Sequence, residues 1–268
     1  MKVLLILVFG VWSFCGSLAQ TAKLTSEADL VIGERLTIFS DQLGEEREVN
    51  VYLPESYHPD SLNNYPVIYV FDGSMDEDFI HIVGLVQFGS MPWIDLLPES
   101  IVVGISNVDR QRDFTFPTTV AEDKADLPTS GGSENFMNYL EEELIPFISS
   151  RYRTSDHRTI IGQSLGGLLA TEILMKRPQM FEDYIIVSPS LWWDQQSLLE
   201  FEIDSLSMNQ VFIGVGNEHP VMRETAQALN AKLSALDSNS ARVHFAYFPE
   251  CDHGDVLHLA VYKAFEEM

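Results

Sequence analysis

The chain has 268 residues, of which 46% are hydrophobic and 11% aromatic, enough to bury the core of one domain. It carries 16 lysine and arginine residues against 40 aspartate and glutamate residues, so its formal net charge is −24 at pH 7. This charge argues against nucleic acid and anionic membrane surfaces as partners. Of the 2 cysteines, Cys15 falls in a predicted leader, which leaves Cys251 without a partner for an internal disulfide.

The first residues are typical of a signal peptide. Lys2 gives a positive start, residues 3–14 are an apolar run, and residues 17–19 are small, as signal peptidase requires. The run is too short for a comfortable membrane span, so we expect cleavage after Ala19 and no membrane insertion afterwards. A lipid anchor on Cys15 is the alternative, and the bulky Phe14 argues against it. We therefore predict a signal peptide at 1–19, a polar N-terminal arm at 20–33 and one domain at 34–268.

Two alternating segments, residues 35–40 and 48–53, are joined by a turn at 41–44 and predict an N-terminal antiparallel hairpin. Later apolar runs are typical of strands covered on both faces; they lie at 66–71, 101–105, 159–161, 184–187 and 211–215, before a last strand at 244–248. Helical patterns alternate with them at 79–88, 135–151, 165–176, 222–236 and 256–268. This order predicts an α/β fold with a mainly parallel central sheet, helices on both faces and a site at the carboxyl ends of the strands.

The sequence Gly162-Gln163-Ser164-Leu165-Gly166 lies where the strand at 159–161 gives way to a helix. This G-x-S-x-G pattern is typical of a nucleophile elbow, a strained turn that lifts the serine Oγ out of the backbone. Side chains two residues before and after the serine would collide where strand and helix cross, which explains both glycines. A glycine-rich turn without serine chemistry is the alternative, and the flanking strand and helix favour catalysis.

A serine nucleophile needs a base, usually a histidine that a carboxylate holds. Of the 7 histidines, His253 lies in the loop after the last strand, where a fold with this elbow places its base. The acid should precede it in sequence, and Glu218, exposed by a turn after the strand at 211–215, is our prediction. Asp194 follows an earlier strand at the same edge and is the competing acid. Asp252 adjoins His253 and can hardly reach its Nδ1.

Acyl transfer also needs N–H donors for the oxyanion. We predict the backbone N–H of Leu165, directly after the nucleophile, as the first donor. The second should come from the loop after the strand at 66–71, and the N–H of Ser74, which follows Asp72 and Gly73, is our choice.

Four side chains are candidates for substrate binding. Arg110 and Arg112 follow the strand at 101–105 and could capture an anionic group. Ion pairs with Asp109, Asp113 or another loop are the alternative. Trp192 and Trp193 could wall an acyl or aryl pocket, and we expect one of the two to be core.

With these residues placed, the chain resembles the putative-esterase branch of the α/β hydrolases, which includes enterochelin-type siderophore esterases, feruloyl esterases, esterase D and mycolyltransferases. The resemblance runs from about Glu34 to the C-terminus, and the Ser-Pro-Ser-Leu-Trp-Trp run at 188–193 is most similar to the siderophore-esterase-like subgroup. The resemblance also rests on residues 65–73, 101–105, 110–113, 130–132, 142–146, 162–167 and 252–253. It implies an α/β-hydrolase fold, chemistry by Ser164, Glu218 and His253, and an oxyanion loop at 72–74. Gln163 stands where many relatives have histidine, a difference that we expect to matter little.

We therefore expect a serine carboxylesterase, secreted or periplasmic, that acts through an acyl-enzyme on a small-molecule ester without a metal or organic cofactor. The residues do not select a siderophore ester over a simpler acyl or aryl ester, and the few basic residues make a strongly anionic ferric siderophore less suitable. Acyl transfer to an acceptor other than water, and a non-catalytic binding protein of the same fold, are the alternatives.

Overall fold

The computed structural model describes residues 22–203, 210–236 and 242–268. The predicted signal peptide at 1–19 lies outside these residues. Residues 22–32 have no regular secondary structure and belong to a separate unit, Met1–Ile32. Every element described below belongs to the unit Gly33–Met268.

The described strands form one sheet of eight in the order β1-β2-β4-β3-β5-β6-β7-β8. β1 (Glu34–Ser40) pairs antiparallel with β2 (Glu45–Tyr52), which pairs antiparallel with β4 (Ile101–Ile105). All further pairings are parallel, and they join β4 to β3 (Tyr65–Val70), β5 (Thr154–Gln163), β6 (Asp183–Val187), β7 (Gln210–Gly216) and β8 (Val243–Phe248). The predicted hairpin and the mainly parallel sheet are both confirmed.

The long helices lie close to the predicted residues. The helices are α1 (Phe79–Gly89), α2 (Arg110–Asp113), α3 (Ala121–Asp126), α4 (Ser133–Asn138), α5 (Ile145–Arg151), α6 (Leu165–Lys176), α7 (Trp193–Glu200), α8 (Pro220–Leu236) and α9 (Val256–Glu267). α2, α3 and α7 are absent from the sequence prediction because, at 4, 6 and 8 residues, they are too short for a recognisable apolar repeat. A π-helical turn over Tyr139–Leu144 divides the predicted helix at 135–151. Pro146, which has no N–H to continue the α-helical bonding, explains this wider turn.

A hydrophobic core lies on each face of the sheet. Successive residues of β3 alternate between them, so that Val67 and Tyr69 belong to one core and Ile68 and Val70 to the other. The first core includes residues of α4, α5, α6 and α8, whereas α1 and α9 cover the second. Helices therefore cover both faces, and the loops at the carboxyl ends of the strands are left to carry functional side chains. Among the described helices, none is long and apolar enough to cross a membrane.

Candidate active site

The predicted nucleophile lies in a strained turn between β5 and α6. Ser164 follows the last residue of β5 and precedes the first of α6, with φ 60° and ψ −120°. A left-handed φ at a non-glycine residue costs on the order of 1–3 kcal/mol and persists only where the surroundings impose it. The turn is tight, since a Cβ on Gly162 would lie 2.4 Å from the carbonyl oxygen of Gly166. The structure agrees with the collision expected between strand and helix.

The predicted base and acid lie side by side. His253 is in the loop between β8 and α9, and Glu218 is in the loop between β7 and α8. The His253 Nδ1 is 2.7 Å from the Glu218 Oε2. The Glu218 side chain is 3% exposed and the His253 side chain 45%, so the carboxylate orients the ring from within the protein.

Further donors fix the Glu218 carboxylate. Its Oε1 accepts hydrogen bonds from the Ser188 hydroxyl and from the N–H of Gly216, the second at 3.1 Å. Burial raises the pKa of the Glu218 carboxyl, but the hydrogen bonds from His253 and Ser188 outweigh burial and hold the pKa below its ordinary value. Glu218 is therefore an anion at neutral pH and can stabilise a protonated His253.

Ser164 and His253 line the same cavity, which has a volume of about 520 Å³. Its lining residues are Ser164, Ser190, Trp192, Glu218, His219, Met222, Asp252 and His253. The Ser164 Oγ lies 3.4 Å from the Ser190 Oγ, within hydrogen-bond range, and within the described residues it forms no hydrogen bond with the His253 ring. Catalytic hydrogen bonds are often loose in a free enzyme and tighten with substrate. The cavity lies at the carboxyl ends of the parallel strands, the edge at which the sequence places the site.

Gln163, the residue before the serine, joins the elbow to two other loops. Its Nε2 donates a hydrogen bond to the carbonyl oxygen of His253 at 2.5 Å. Its own carbonyl oxygen accepts a hydrogen bond from the Arg110 Nη2 at 3.3 Å. From the family resemblance we expected the replacement of histidine by glutamine at this position to matter little. The Gln163 side chain nevertheless joins the elbow directly to the histidine loop.

The predicted oxyanion donors lie on neighbouring elements. Leu165 is the first residue of α6, so its N–H is among the donors that a helix leaves unpaired at its N-terminus. The loop that carries Ser74 packs beside the same helix end, because a Cβ on Gly166 would lie 3.5 Å from the Oδ2 of Asp72. The structure brings this loop to the elbow, and the role of the Ser74 N–H stays a prediction.

Arg110 and Arg112 are held in ion pairs and do not line the cavity. Arg110 contacts both carboxylate oxygens of Asp72, at 2.6 Å from Nε and 2.9 Å from Nη2. Arg112 lies 2.6 Å from an oxygen of Glu45 and 2.7 Å from one of Asp113. Both arginines therefore form ion pairs, the alternative to substrate binding that the sequence left open. In so acidic a chain, neighbouring carboxylates neutralise these guanidinium groups.

The two tryptophans separate in the structure. Trp192 lines the cavity, whereas Trp193 is fully buried and donates its indole N–H to the carbonyl oxygen of Phe116 at 2.9 Å. The competing acid, Asp194, accepts hydrogen bonds from the N–H and hydroxyl of Thr119 at 2.6 and 2.7 Å. The structure brings Glu218, and not Asp194, to the histidine.

Some residues of the site were missed by the sequence reasoning. Ser188 holds Glu218, and Ser190 contacts the nucleophile. Both belong to the run 188–193, of which only the tryptophans received a role. This run directly follows β6, so its place at the carboxyl edge of the sheet was the signal that could have indicated both serines.

The strand order, the serine at positive φ between a strand and a helix, and the acid and histidine on later loops define an α/β-hydrolase fold. The model of the family described as "Putative esterase" matches residues 40–254 of this chain, and the chain belongs to that family.

Relatives with assigned activities agree with this family. The ferri-bacillibactin esterase BesA of Bacillus subtilis (strain 168) is 28% identical over 264 residues, which cover 90% of this chain and 91% of the relative. The siderophore enterobactin esterase of Emericella nidulans is 34% identical over 96 residues, which cover 35% of this chain and 31% of the relative.

Solved structures of similar proteins also match this fold. The BES protein from Bacillus cereus matches with a TM-score of 0.78 and 26% identity, over 92% of this chain and 98% of that one. An IroE-like serine hydrolase from Shewanella oneidensis matches with a TM-score of 0.77 and 29% identity, over 87% of this chain and 79% of that one. The chain is therefore an ester-hydrolysing enzyme of the serine esterase class.

Proposed function

We propose that this serine esterase hydrolyses siderophore-type esters through an acyl-enzyme on Ser164. The observation that carries the chemistry is the 2.7 Å contact between His253 Nδ1 and Glu218 Oε2 at the cavity that Ser164 also lines. The substrate class is supported by relatives named ferri-bacillibactin esterase and siderophore enterobactin esterase.

In this mechanism His253 takes the proton of Ser164 while Oγ attacks the ester carbonyl carbon. Glu218 orients the imidazole and stabilises the imidazolium that forms. The N–H groups of Leu165 and Ser74 hold the oxyanion, and the positive end of α6 supports the same charge. The imidazolium then protonates the leaving alcohol. Water that His253 deprotonates attacks the acyl-enzyme, which releases the acid and restores the Ser164 hydroxyl.

The cavity suits one arm of a larger ester. Its volume of about 520 Å³ lies in the range of small-molecule sites. Trp192 and Met222 offer an apolar wall on which an aryl or acyl group can pack.

A panel of acyl and aryl esters, measured on wild type and on variants, tests the proposal. We expect near-total loss of activity in Ser164→Ala and His253→Ala, and a partial loss in Glu218→Ala. Ser150→Ala, which changes an exposed serine on α5, is the matched control and should keep wild-type activity. A fluorophosphonate probe should label Ser164 in the folded wild type. Absence of labelling together with full activity of Ser164→Ala would contradict the proposal.

We also infer export through the predicted leader at residues 1–19, supported by its charge and apolar pattern. Expression in a bacterium with a general secretory pathway, followed by N-terminal sequencing of the released protein, tests this. We expect the mature chain to begin at Gln20. Retention of the whole leader on cytosolic protein would contradict the inference.

A further inference from the structure

The loops around the cavity carry many carboxylates. Asp252 lines the cavity directly, and Glu250 and Asp255 lie in the same loop as His253. The loop after β3, on the other side of the elbow, carries Asp72, Asp76, Glu77 and Asp78. Burial, together with the charges of Asp72 and Glu77, raises the pKa of Asp78 to about 7. Asp72 and Glu77 thus lie close enough to Asp78 to oppose its ionisation, in addition to the larger effect of burial.

Among the described residues, Asp72 is the one of these carboxylates that forms an ion pair with a lysine or arginine. None of the described residues that line the cavity is a lysine or an arginine. Arg110 is paired with Asp72, and Arg112 with Glu45 and Asp113. These guanidinium groups therefore have their charge neutralised before any substrate arrives.

Lys124 on α3 and Arg223 in the first turn of α8 do not line the cavity either. Lys124 donates to the carbonyl oxygen of Ser130 at 2.6 Å. The Arg223 guanidinium lies over the Tyr247 ring, 5.5 Å from its centroid. A multiply charged anion in the cavity would face Asp252 and Glu218 without a direct cationic contact.

We propose that this site selects esters without net negative charge, and that Asp252 is a residue that determines this specificity at the cavity. The proposal rests on the siderophore-type esterase function and names the form of the substrate that is cleaved. A metal-free catechol ester carries little negative charge at neutral pH, because phenolic hydroxyls such as that of tyrosine titrate near pH 10. Its ferric tris-catecholate complex is a trianion. The metal-free ester is therefore the preferred substrate.

Screening limits which substrate charges the site can sense. At physiological ionic strength the Debye length is about 8 Å, so only groups that enter or approach the cavity interact with Asp252. Raising the salt concentration shortens this length and should weaken the discrimination. Salt dependence thus separates an electrostatic preference from a steric one.

Three aryl esters of matched size test the proposal, with a neutral group, a carboxylate or a quaternary ammonium at one position of the acyl part. The readout is the ratio of kcat/KM for the anionic ester to that for the neutral ester, at low and high salt. We expect a ratio well below one in wild type that rises with salt. Asp252→Asn should raise the ratio roughly two- to threefold, the effect of one charge pair about 8 Å apart in water. Using the ratio cancels any general loss of activity in the variant.

Asp156→Asn is the matched control, because Asp156 is an exposed acid near the start of β5, away from the cavity. This variant should leave the ratio unchanged. Glu250→Gln, in the histidine loop, should raise the ratio less than Asp252→Asn does. A direct comparison then uses one tri-catechol ester with and without bound iron(III), with its cleavage followed by chromatography.

The outcomes separate the two proposals. Equal kcat/KM for the three aryl esters at low salt, or faster cleavage of the ferric complex, would overturn charge selection while leaving the esterase function intact. Wild-type rates no greater than those of Ser164→Ala on every ester would overturn the proposed function itself. A ratio that moves equally in Asp156→Asn and Asp252→Asn would refute the role of Asp252.

Discussion

Replacing Gln163 by methionine would remove one contact between the elbow and the histidine loop while keeping a side chain of similar length. In the wild type, the Gln163 Nε2 donates to the carbonyl oxygen of His253 at 2.5 Å. Methionine has no N–H to donate. The backbone carbonyl of residue 163, which accepts from Arg110, is retained. The substitution therefore isolates a single hydrogen bond.

The magnitude follows from where this bond lies. A neutral hydrogen bond contributes about 0.5–1.5 kcal/mol to stability, and water can replace part of it because Gln163 and His253 are both half-buried. We expect the variant to lose about 1 kcal/mol of unfolding free energy. Catalysis should suffer more, because a displacement of the base by about 1 Å can cost up to 100-fold in rate. We expect kcat to fall about tenfold, which is less than the 100-fold upper value. KM should change little, since Gln163 does not line the cavity.

Steady-state kinetics on a neutral aryl ester, with urea unfolding of the same samples, checks this prediction. Gln163→His restores an N–H donor and should recover part of the lost kcat. Gln87→Met, at an exposed position of α1, is the matched control and should match wild type in both assays. A Gln163→Met variant with wild-type kcat and lowered stability would show that the bond supports the fold alone. A raised KM with unchanged kcat would refute the reasoning in another way, because the side chain would then act on substrate binding.

Three other substitutions follow from the structure. Glu218→Gln should lower kcat/KM by about 10²–10⁴-fold, because a neutral amide cannot stabilise the imidazolium of His253, and esterase kinetics measure this. Asp78→Asn should raise the unfolding free energy at pH 8 by about 1–2 kcal/mol, after allowance for partial exposure, in urea titrations beside the control Asp156→Asn. With the folded-state pKa raised from 3.8 to about 7, the penalty grows as pH rises through that window, so the gain should vanish near pH 4. Gly162→Ala would place a Cβ 2.4 Å from a carbonyl oxygen and should destabilise the fold by at least about 1–3 kcal/mol, so an unchanged melting temperature would contradict this account.

The fold was predictable because its signals are local and repeated. Strands such as 101–105 are apolar throughout. The longer helices α1, α6, α8 and α9, of 11 to 17 residues, are long enough to show their own period. The short helices α2, α3 and α7 were missed because they contain one or two turns that tertiary contacts hold. Trp193, at the start of α7, illustrates this, since it is fixed by burial and by its bond to the Phe116 carbonyl. Neither contact leaves a periodic mark in the sequence.

The candidate site likewise contains residues that the sequence could predict and contacts that it could not. Ser164 was predictable because its strain requires glycine two residues before and after it, which is a local pattern. His253 and Glu218 were predictable from their order along the chain and from the strands they follow. The partners of Arg110 were not, because many acidic residues could have paired with it. Only the packing of the loop after β3 against the elbow selects Asp72.

The geometry of the site is determined more by hydrogen bonds among the neighbouring strands β5, β6 and β7 than by the G-x-S-x-G sequence at 162–166. Among the described residues, two serines have a positive φ, Ser164 at 60° and Ser188 at 43°, and each needs external support. The N–H of Ser164 bonds to the carbonyl of Val187 on β6 at 3.1 Å, and the N–H of Ser188 bonds to the carbonyl of Gly214 on β7 at 2.8 Å. The strained turn on β5 is thus held by β6, and the strained turn on β6 by β7. Because the Ser188 hydroxyl also donates to Glu218, two backbone hydrogen bonds and this side-chain bond form one continuous set that positions the acid and the nucleophile. A motif confined to five residues can therefore locate the serine, but it contains no record of the neighbouring strands that orient the serine's partners.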